Sequence, residues 1–256
     1  MPDILRRTTL GMLLLLSMPV TVALSGWTWQ PGEMGWAYLI MFWFTETVTS
    51  PWGAVTSVIL CGWFTWCLRY RLKPALCLLI ILIATILAGQ YTKSFIKDQV
   101  REPRPYVMWL EKAKGLNNQY FYELKRKQRG ELVQESIEDN TELPAWLKRH
   151  WAFETGFSFP SGHTMFAATW ALLAVGLLWP RRHYITTALL MCWASLVMGS
   201  RLMLGMHWPQ DLIVSTLISW LFITLATWFA QRFCGPLDLR PQEGVKERAS
   251  AKVLRD

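Results

Sequence analysis

Charged side chains are scarce in this sequence, at 17% of residues, whereas an average soluble domain has about 25%. Hydrophobic residues make up 52% of the 256 residues, and the mean hydropathy is +0.21. The sequence also has 16 tryptophans, a residue that collects at membrane–water interfaces. This composition excludes an ordinary soluble domain and predicts a polytopic membrane protein.

Cysteine motifs for metal or redox chemistry are missing as well. The five cysteines are odd in number, and no two of them have CxxC spacing. All lie in or beside apolar stretches, at Cys61, Cys67, Cys77, Cys192 and Cys234. We therefore interpret them as small hydrophobic side chains.

Several apolar segments approach the length of roughly 20 residues that a helix needs to cross the hydrocarbon of a membrane. They are Thr8–Ser25, Trp52–Leu68, Ala75–Phe95, Thr164–Trp179, Tyr184–Leu204 and Pro209–Ala230. The first is predicted to be a span, although Arg6 and Arg7 before an apolar run are also typical of a signal peptide. Met34–Phe44 is too short to cross and predicts either an interfacial helix or a buried packing helix.

The sequence thus predicts an all-α protein with six transmembrane helices over residues 1–235. A polar insertion at 97–160 is expected to form a small helical cap on the outer side. The tail, 236–256, is polar, contains prolines and is expected to be disordered.

The distribution of charge predicts the orientation. If the N-terminus is inside, the inner segments carry 13 basic and 5 acidic residues, an excess equal to the whole net charge of +8. The positive-inside rule favours this arrangement, with both termini in the cytoplasm. The excess therefore reports topology, and no nucleic-acid partner is expected.

Three groups of polar residues interrupt the apolar pattern at the outer ends of the predicted spans. They are Lys97 to Arg104-Pro105, Pro160-Ser161-Gly162-His163, and Ser200-Arg201 with His207 and Asp211. A single charge at the end of a span usually snorkels to the interface and has no further role. Because all three groups are predicted on one side of the membrane, we interpret them as one site.

The charges of this site suit phosphate. Lys97, Arg104 and Arg201 supply positive charge and hydrogen-bond donors that match phosphate oxygens. Ser161 and Gly162 begin a predicted span, where free N–H groups and the helix dipole favour an anion. A Mg²⁺ site would require several carboxylates, and few are present here.

Two histidines and one carboxylate can supply the reactivity. His207 and Asp211 are four residues apart and can meet in a helical turn that Pro209 opens. The carboxylate would fix one imidazole nitrogen and leave the other free to attack phosphorus. His163 can protonate the leaving oxygen, so activity is expected to follow a bell over mildly acidic to neutral pH.

The motifs Lys97-x6-Arg104-Pro105, Pro160-Ser161-Gly162-His163 and Ser200-Arg201-x5-His207-x3-Asp211 resemble the signature of the type 2 phosphatidic acid phosphatase (PAP2) family. The resemblance implies six transmembrane helices with a periplasmic helical cap, in the inner membrane of a bacterium. It implies no metal or cofactor. It also implies that His207 becomes a phosphohistidine, that Asp211 orients it, that His163 is the acid, and that the phosphate is held by Lys97, Arg104, Ser161, Gly162 and Arg201.

Members of this family dephosphorylate phosphatidylglycerol phosphate, phosphatidic acid, lysophosphatidic acid, diacylglycerol pyrophosphate and undecaprenyl pyrophosphate. The resemblance therefore implies a membrane lipid phosphate as substrate, and no obligate protein partner is evident. A lipid phosphotransferase would use the same histidine chemistry and stays open as an alternative. Vanadate-dependent haloperoxidases share the signature but are soluble, and a transporter would place its charges near the midplane of the membrane.

Overall fold

The structure is a computed structural model that describes residues 1–32 and 35–235. Within these ranges it is all-α, as predicted. The helices are α1 (Pro2–Leu24), α2 (Trp36–Glu46), α3 (Trp52–Leu68), α4 (Leu72–Val100), α5 (Pro105–Lys114), α6 (Asn118–Glu123), α7 (Arg126–Ile137), α8 (Ala145–Phe153), α9 (Gly162–Leu173), α10 (Tyr184–Met203) and α11 (Pro209–Cys234). Met34, which begins the predicted interfacial segment, and the tail at 236–256 lie outside the described residues.

Five helices in the described part of the chain are long and apolar enough to cross a membrane. They are Pro2–Leu24, the segment that starts with α4 at Leu72, Gly162–Arg181, Tyr184–Met203 and Pro209–Cys234. The chain is therefore a multi-pass membrane protein. Helix α3 is apolar but has only 17 residues, so a sixth crossing stays a prediction.

Helix α9 lies at the centre of the bundle, and its residues from Thr164 to Leu173 are all buried. It continues through one π-helical turn, Ala174–Leu178. Lipid tails are as apolar as leucine, so close packing of small residues has to hold such helices together. Gly11 of α1 provides one close approach, since a β-carbon there would lie 3.1 Å from both Leu172 Cδ2 and Val175 Cγ2.

Helix α1 is an integral part of this bundle. Its Ile4 and Leu15 are buried, and its Thr8 hydroxyl lies 2.9 Å from the Thr224 hydroxyl of α11. Each hydroxyl also lies within hydrogen-bond distance of a carbonyl of its own helix, so the contact between the two links α1 to α11 inside the bundle.

A second hydrophobic core belongs to the short helices α5 to α8, which we call the cap helices. Trp151 stands at its centre, stacked on Tyr106 with ring centroids 4.9 Å apart and surrounded by Phe121, Val133 and Leu147. Helix α4 runs on to Val100 and ends at Arg101, which has a left-handed φ of 53°. Lys97 thus lies in the last turn of a long helix, and the polar segment begins before that helix ends.

Candidate active site

The first turn of α11 joins His207 to Asp211. Pro209 is at the start of the helix, and Asp211 Oδ2 accepts a hydrogen bond from the Trp208 N–H at 3.0 Å. The same carboxylate oxygen lies 2.9 Å from His207 Nδ1. Asp211 therefore caps the helix, stabilises its positive end and holds the imidazole.

Ser158 is the third member of this group. Its hydroxyl donates to Asp211 Oδ2 and lies 3.4 Å from His207 Nδ1. The serine is held in turn by its own N–H, which donates to the Glu102 carbonyl at 2.7 Å. Because Asp211 occupies Nδ1, the Nε2 atom of His207 is the nitrogen left for chemistry.

The carboxylate of Glu154 lies between the cationic groups of the site. Its Oε2 is 2.6 Å from Arg201 Nη2 and 3.3 Å from Arg104 Nη1, and its Oε1 is 3.2 Å from His163 Nε2. These groups are all nearly buried, since Arg201 is 0% and Arg104 5% exposed. In this structure a side-chain anion thus occupies the position in which the two guanidinium groups could hold an external one.

The pKa of Glu154 agrees with this arrangement. Burial raises the pKa of Glu154, but Arg201, His163 and Arg104 outweigh it and hold that pKa well below its usual range. Glu154 is therefore ionised.

The pKa of His207 is lowered as well, but here burial and the neighbouring positive charges act in the same direction. Burial lowers its pKa, and the positive charges of Arg104, Arg201 and Lys97 lower it further, well below the usual value for histidine. Its imidazole is neutral at neutral pH and can act as a nucleophile.

Two further predicted cations hold the segment before α9. Lys97 Nζ donates to the carbonyls of Phe157 and Ser158, the latter at 3.0 Å. Arg104 Nε donates to the Gly156 carbonyl at 2.6 Å, and its Nη1 lies 3.3 Å from the Met206 carbonyl. Arg104 therefore connects the segment 156–158 with Met206, the neighbour of His207, while Lys97 holds the same segment from the end of α4.

Ser161 and Gly162 form the start of α9. Ser161 Oγ accepts from the Thr164 N–H at 3.3 Å, so this hydroxyl is used as the helix cap. A β-carbon at Gly162 would lie 2.7 Å from Lys93 Cδ. Glycine at this position therefore allows the side chain of Lys93 to pass across the motif.

A cavity of about 350 Å³ opens beside this helix start. His163, Glu154, Lys93 and Thr49 contribute polar groups to it, and Val48, Ile86 and Phe166 contribute apolar ones. Thr49 Oγ1 is also 3.0 Å from His163 Nε2. The cavity thus combines an amine and a carboxylate with an apolar wall, next to the histidine predicted to be an acid.

These contacts connect six of the predicted residues through Glu154, Ser158 and the segment 156–158, namely Lys97, Arg104, His163, Arg201, His207 and Asp211. Ser161 caps its own helix and Gly162 approaches Lys93, so these two are not part of that connected group. Glu154, Ser158 and Lys93 were missed by the sequence reasoning. Glu154 had a weak signal, as the last acid before the Pro160-Ser161-Gly162-His163 motif. His150, which lies outside the three motifs, is 3.2 Å from Arg201 Nη1 through its Nε2.

Comparisons with known proteins agree with the family resemblance that the motifs predict. The family model of the PAP2 superfamily matches residues 75–233, which include every predicted site residue. The chain is 61% identical over 237 residues to phosphatidylglycerophosphatase B of Escherichia coli (strain K12), covering 93% of each chain. It is 32% identical over 237 residues to phosphatidylglycerophosphatase B of Haemophilus influenzae, covering 89% of this chain and 96% of that one.

If Glu154 occupies an anion site, removing its charge should strengthen anion binding. We expect Glu154→Gln to bind inorganic phosphate about tenfold more tightly than the unmodified chain, a difference of ~1.4 kcal/mol. Isothermal titration calorimetry on detergent-purified protein would measure this, with the exposed Glu131→Gln as control. Weaker binding by Glu154→Gln would mean that the carboxylate organises the arginines and does not compete with the anion.

Proposed function

Because the chain belongs to the PAP2 superfamily, we propose that it is a lipid phosphate phosphatase, a phosphoric monoester hydrolase of the membrane. The family resemblance predicted from the motifs is confirmed by the comparisons. The observation that carries the proposal is the placement of a neutral His207, paired with Asp211, beside two arginines that already hold a carboxylate.

The proposed substrate is phosphatidylglycerol phosphate, which would be hydrolysed to phosphatidylglycerol and inorganic phosphate. The names of the relatives support this choice. Phosphatidic acid, lysophosphatidic acid, diacylglycerol pyrophosphate and undecaprenyl pyrophosphate are further candidates from the family resemblance. All of them present a terminal phosphate on an apolar anchor, which suits a cavity with an apolar wall beside Glu154, the carboxylate that Arg104 and Arg201 contact.

In the first chemical step, the substrate phosphate replaces Glu154 on Arg104 and Arg201. The Nε2 lone pair of His207 attacks phosphorus, while Asp211 holds the Nδ1–H and stabilises the positive charge that develops on the ring. The bond from phosphorus to the lipid oxygen breaks, and His163 gives a proton to that oxygen. The surrounding cations offset the charge on the phosphoryl group as it moves.

The second step returns the enzyme to its starting state. Water attacks the phosphorus of the phosphohistidine, and His163, now neutral, accepts the proton of that water. The phosphorus–nitrogen bond breaks, inorganic phosphate leaves, and His207 recovers its neutral form. The Glu154 carboxylate can then pair with Arg104 and Arg201 again.

We also propose that the chain crosses the membrane six times and that the site lies on the periplasmic side. Thr49 lies just before α3 and contacts His163, so α3 begins at the site. Helix α3 ends at the turn into α4, and α4 returns to the site at its own C-terminal end, where Lys97 lies. This path supports a crossing by α3. The turns at the other end of the bundle are basic, and Arg181 lies 5.6 Å above the ring of Tyr70 there, which supports a cytoplasmic location for that end.

Hydrolysis is tested by phosphate release from a panel of lipid phosphates by detergent-purified protein in excess EDTA. We expect phosphatidylglycerol phosphate to be hydrolysed, and His207→Ala to lose at least about 10³-fold in kcat, because the nucleophile is removed. His183→Ala, at the opposite end of α10, is the matched control and should retain activity.

Three results would contradict parts of this proposal. Loss of activity in EDTA would overturn the metal-free chemistry. Phosphate transfer to an added acceptor, without release to water, would favour the lipid phosphotransferase. Full activity of His207→Ala would exclude the phosphohistidine.

The pH dependence of kcat/KM should reflect the lowered pKa of His207. His207 must be neutral to attack, so the acid limb of the profile should lie below about pH 6.5, the ordinary value for histidine. Burial and Arg104 are the largest causes of the shift. Arg104→Gln should therefore move that limb to higher pH by about one pH unit, whereas Arg126→Gln on the cap should not. An unmoved limb in Arg104→Gln would contradict the assignment to His207.

The orientation can be measured by labelling single introduced cysteines in intact cells with a membrane-impermeant maleimide. Gln128→Cys, on the exposed face of α7, should be labelled, and Lys73→Cys, at the start of α4, should be protected until the cells are broken. The unmodified chain with its native cysteines gives the background. Labelling of Lys73→Cys in intact cells would reverse the proposed topology.

A further inference from the structure

The C-terminal end of α2 contacts the arginine that the site depends on. Thr45 is 0% exposed, and its Oγ1 accepts a hydrogen bond from Arg201 Nη1 at 2.5 Å. Thr45 is distant in sequence from the three motifs and lies one residue beyond Met34–Phe44, the segment predicted to be an interfacial or a buried packing helix. Helix α2 therefore reaches the site through its last turn.

The next residue of α2 reaches the same arginine through a histidine. His150 is 4% exposed, its Nδ1 lies 3.4 Å from Glu46 Oε1, and its Nε2 lies 3.2 Å from Arg201 Nη1. A guanidinium group can only donate, so Nε2 has to be the accepting nitrogen of a neutral ring. The proton is then on Nδ1 and points to the Glu46 carboxylate, which stabilises this tautomer.

These contacts divide the guanidinium group of Arg201 into two sides. Nη1 faces Thr45 and His150, which belong to the protein framework, while Nη2 faces Glu154 at 2.6 Å. On the proposed function, the incoming phosphate replaces only Glu154. The Nη1 side therefore stays bonded during the exchange and keeps the fork of Arg201 aimed at the phosphate.

We infer that Thr45 and Glu46, the latter through His150, are positioning residues for Arg201, and that α2 is thereby part of the phosphate site. This inference rests on the proposed function and deepens it. The other face of α2 carries Trp36 and Trp43, which are 77% and 64% exposed. Between the two faces, the ring of Phe42 packs edge-on against His150 at 5.6 Å. One helix thus exposes tryptophans on one face and fixes a phosphate-binding arginine from the other.

The inference is tested with His150→Met and Thr45→Val, which remove an acceptor from Arg201 at similar volume. We expect the KM for the lipid phosphate and the inhibition constant of inorganic phosphate each to rise about tenfold, with kcat changed less than threefold, because a charged hydrogen bond is lost while the reacting histidines stay in place. His150→Gln should restore most of the loss, because its amide oxygen can accept from Arg201. His183→Gln, a histidine bonded to the Cys67 carbonyl at the other end of α10, is the matched control.

Glu46 is tested through its effect on His150. Glu46→Ala should raise both constants in the same way, and Glu46→Gln should raise them less, because its amide oxygen still accepts from Nδ1–H. If the two residues act in series, the double variant Glu46→Ala with His150→Met should be no worse than His150→Met alone.

The outcomes separate the two proposals. If the unmodified chain hydrolyses lipid phosphates but the Thr45, Glu46 and His150 variants keep its KM and inhibition constant, the inference is overturned and the proposed function stands. Equal losses in the His183→Gln control, additive losses in the double variant, or a loss confined to kcat would also overturn it. No hydrolysis of any lipid phosphate by the unmodified chain would overturn the proposed function itself.

Discussion

A buried arginine needs an anion beside it, and this requirement organises the whole site. Arg201 is fully buried and Arg104 nearly so, and an unpaired charge at such positions would be strongly destabilising. Glu154 meets the requirement by contacting both guanidinium groups. The cations can therefore stay buried and oriented before any substrate arrives, which is the condition for electrostatic stabilisation of a transferring phosphoryl group.

The position of His207, the nucleophile in the proposed function, depends largely on the cap helices. Four successive backbone carbonyls, from Met203 at the end of α10 to Met206 just before His207, each accept a hydrogen bond, and the donors belong to three segments of the chain. The donors are Trp29 Nε1 to Met203 at 2.8 Å, Trp151 Nε1 to Leu204 at 2.9 Å, the Tyr106 N–H to Gly205 at 2.9 Å and Arg104 Nη1 to Met206 at 3.3 Å. Gly205 has a φ of +67°, and the indole of Trp29 lies where a β-carbon would be. The core around Trp151 thus fixes the position of His207 as well as covering the bundle.

Much of the architecture could be predicted from the sequence because membrane helices leave a simple pattern. The hydropathy predicted the helical class and the longest apolar helices, although α3 falls short of the usual length. The motif residues could be grouped because each follows or precedes a span, and spans of known direction bring their ends together. Asp211 was placed with His207 correctly, since helical spacing alone decides whether residues four apart can meet.

The partners of those residues could not be found in the same way. Glu154 belongs to a segment whose charges are balanced, so no local excess marked it. Glu46 and His150 are about 100 residues apart in sequence and meet only because α2 and α8 both pack near α10. His150 looked unaccompanied for that reason. Such contacts are decided by how the cap folds onto the bundle, which neither hydropathy nor spacing describes.

Exchange of one anion for another also bears on which lipids the site can hold. On the proposed function, a phosphomonoester arrives with close to two negative charges and displaces a carboxylate that has one, so it gains attraction from Lys97, Arg104 and Arg201 together. A phosphodiester lipid, including phosphatidylglycerol itself, carries a single charge and gains little over Glu154. Because every anion must displace the same carboxylate, Glu154 lowers all affinities by one factor and leaves their ratio unchanged. The ratio is set by the charge of the incoming group, so a monoester can still displace Glu154 where the diesters of the surrounding bilayer bind too weakly to do so.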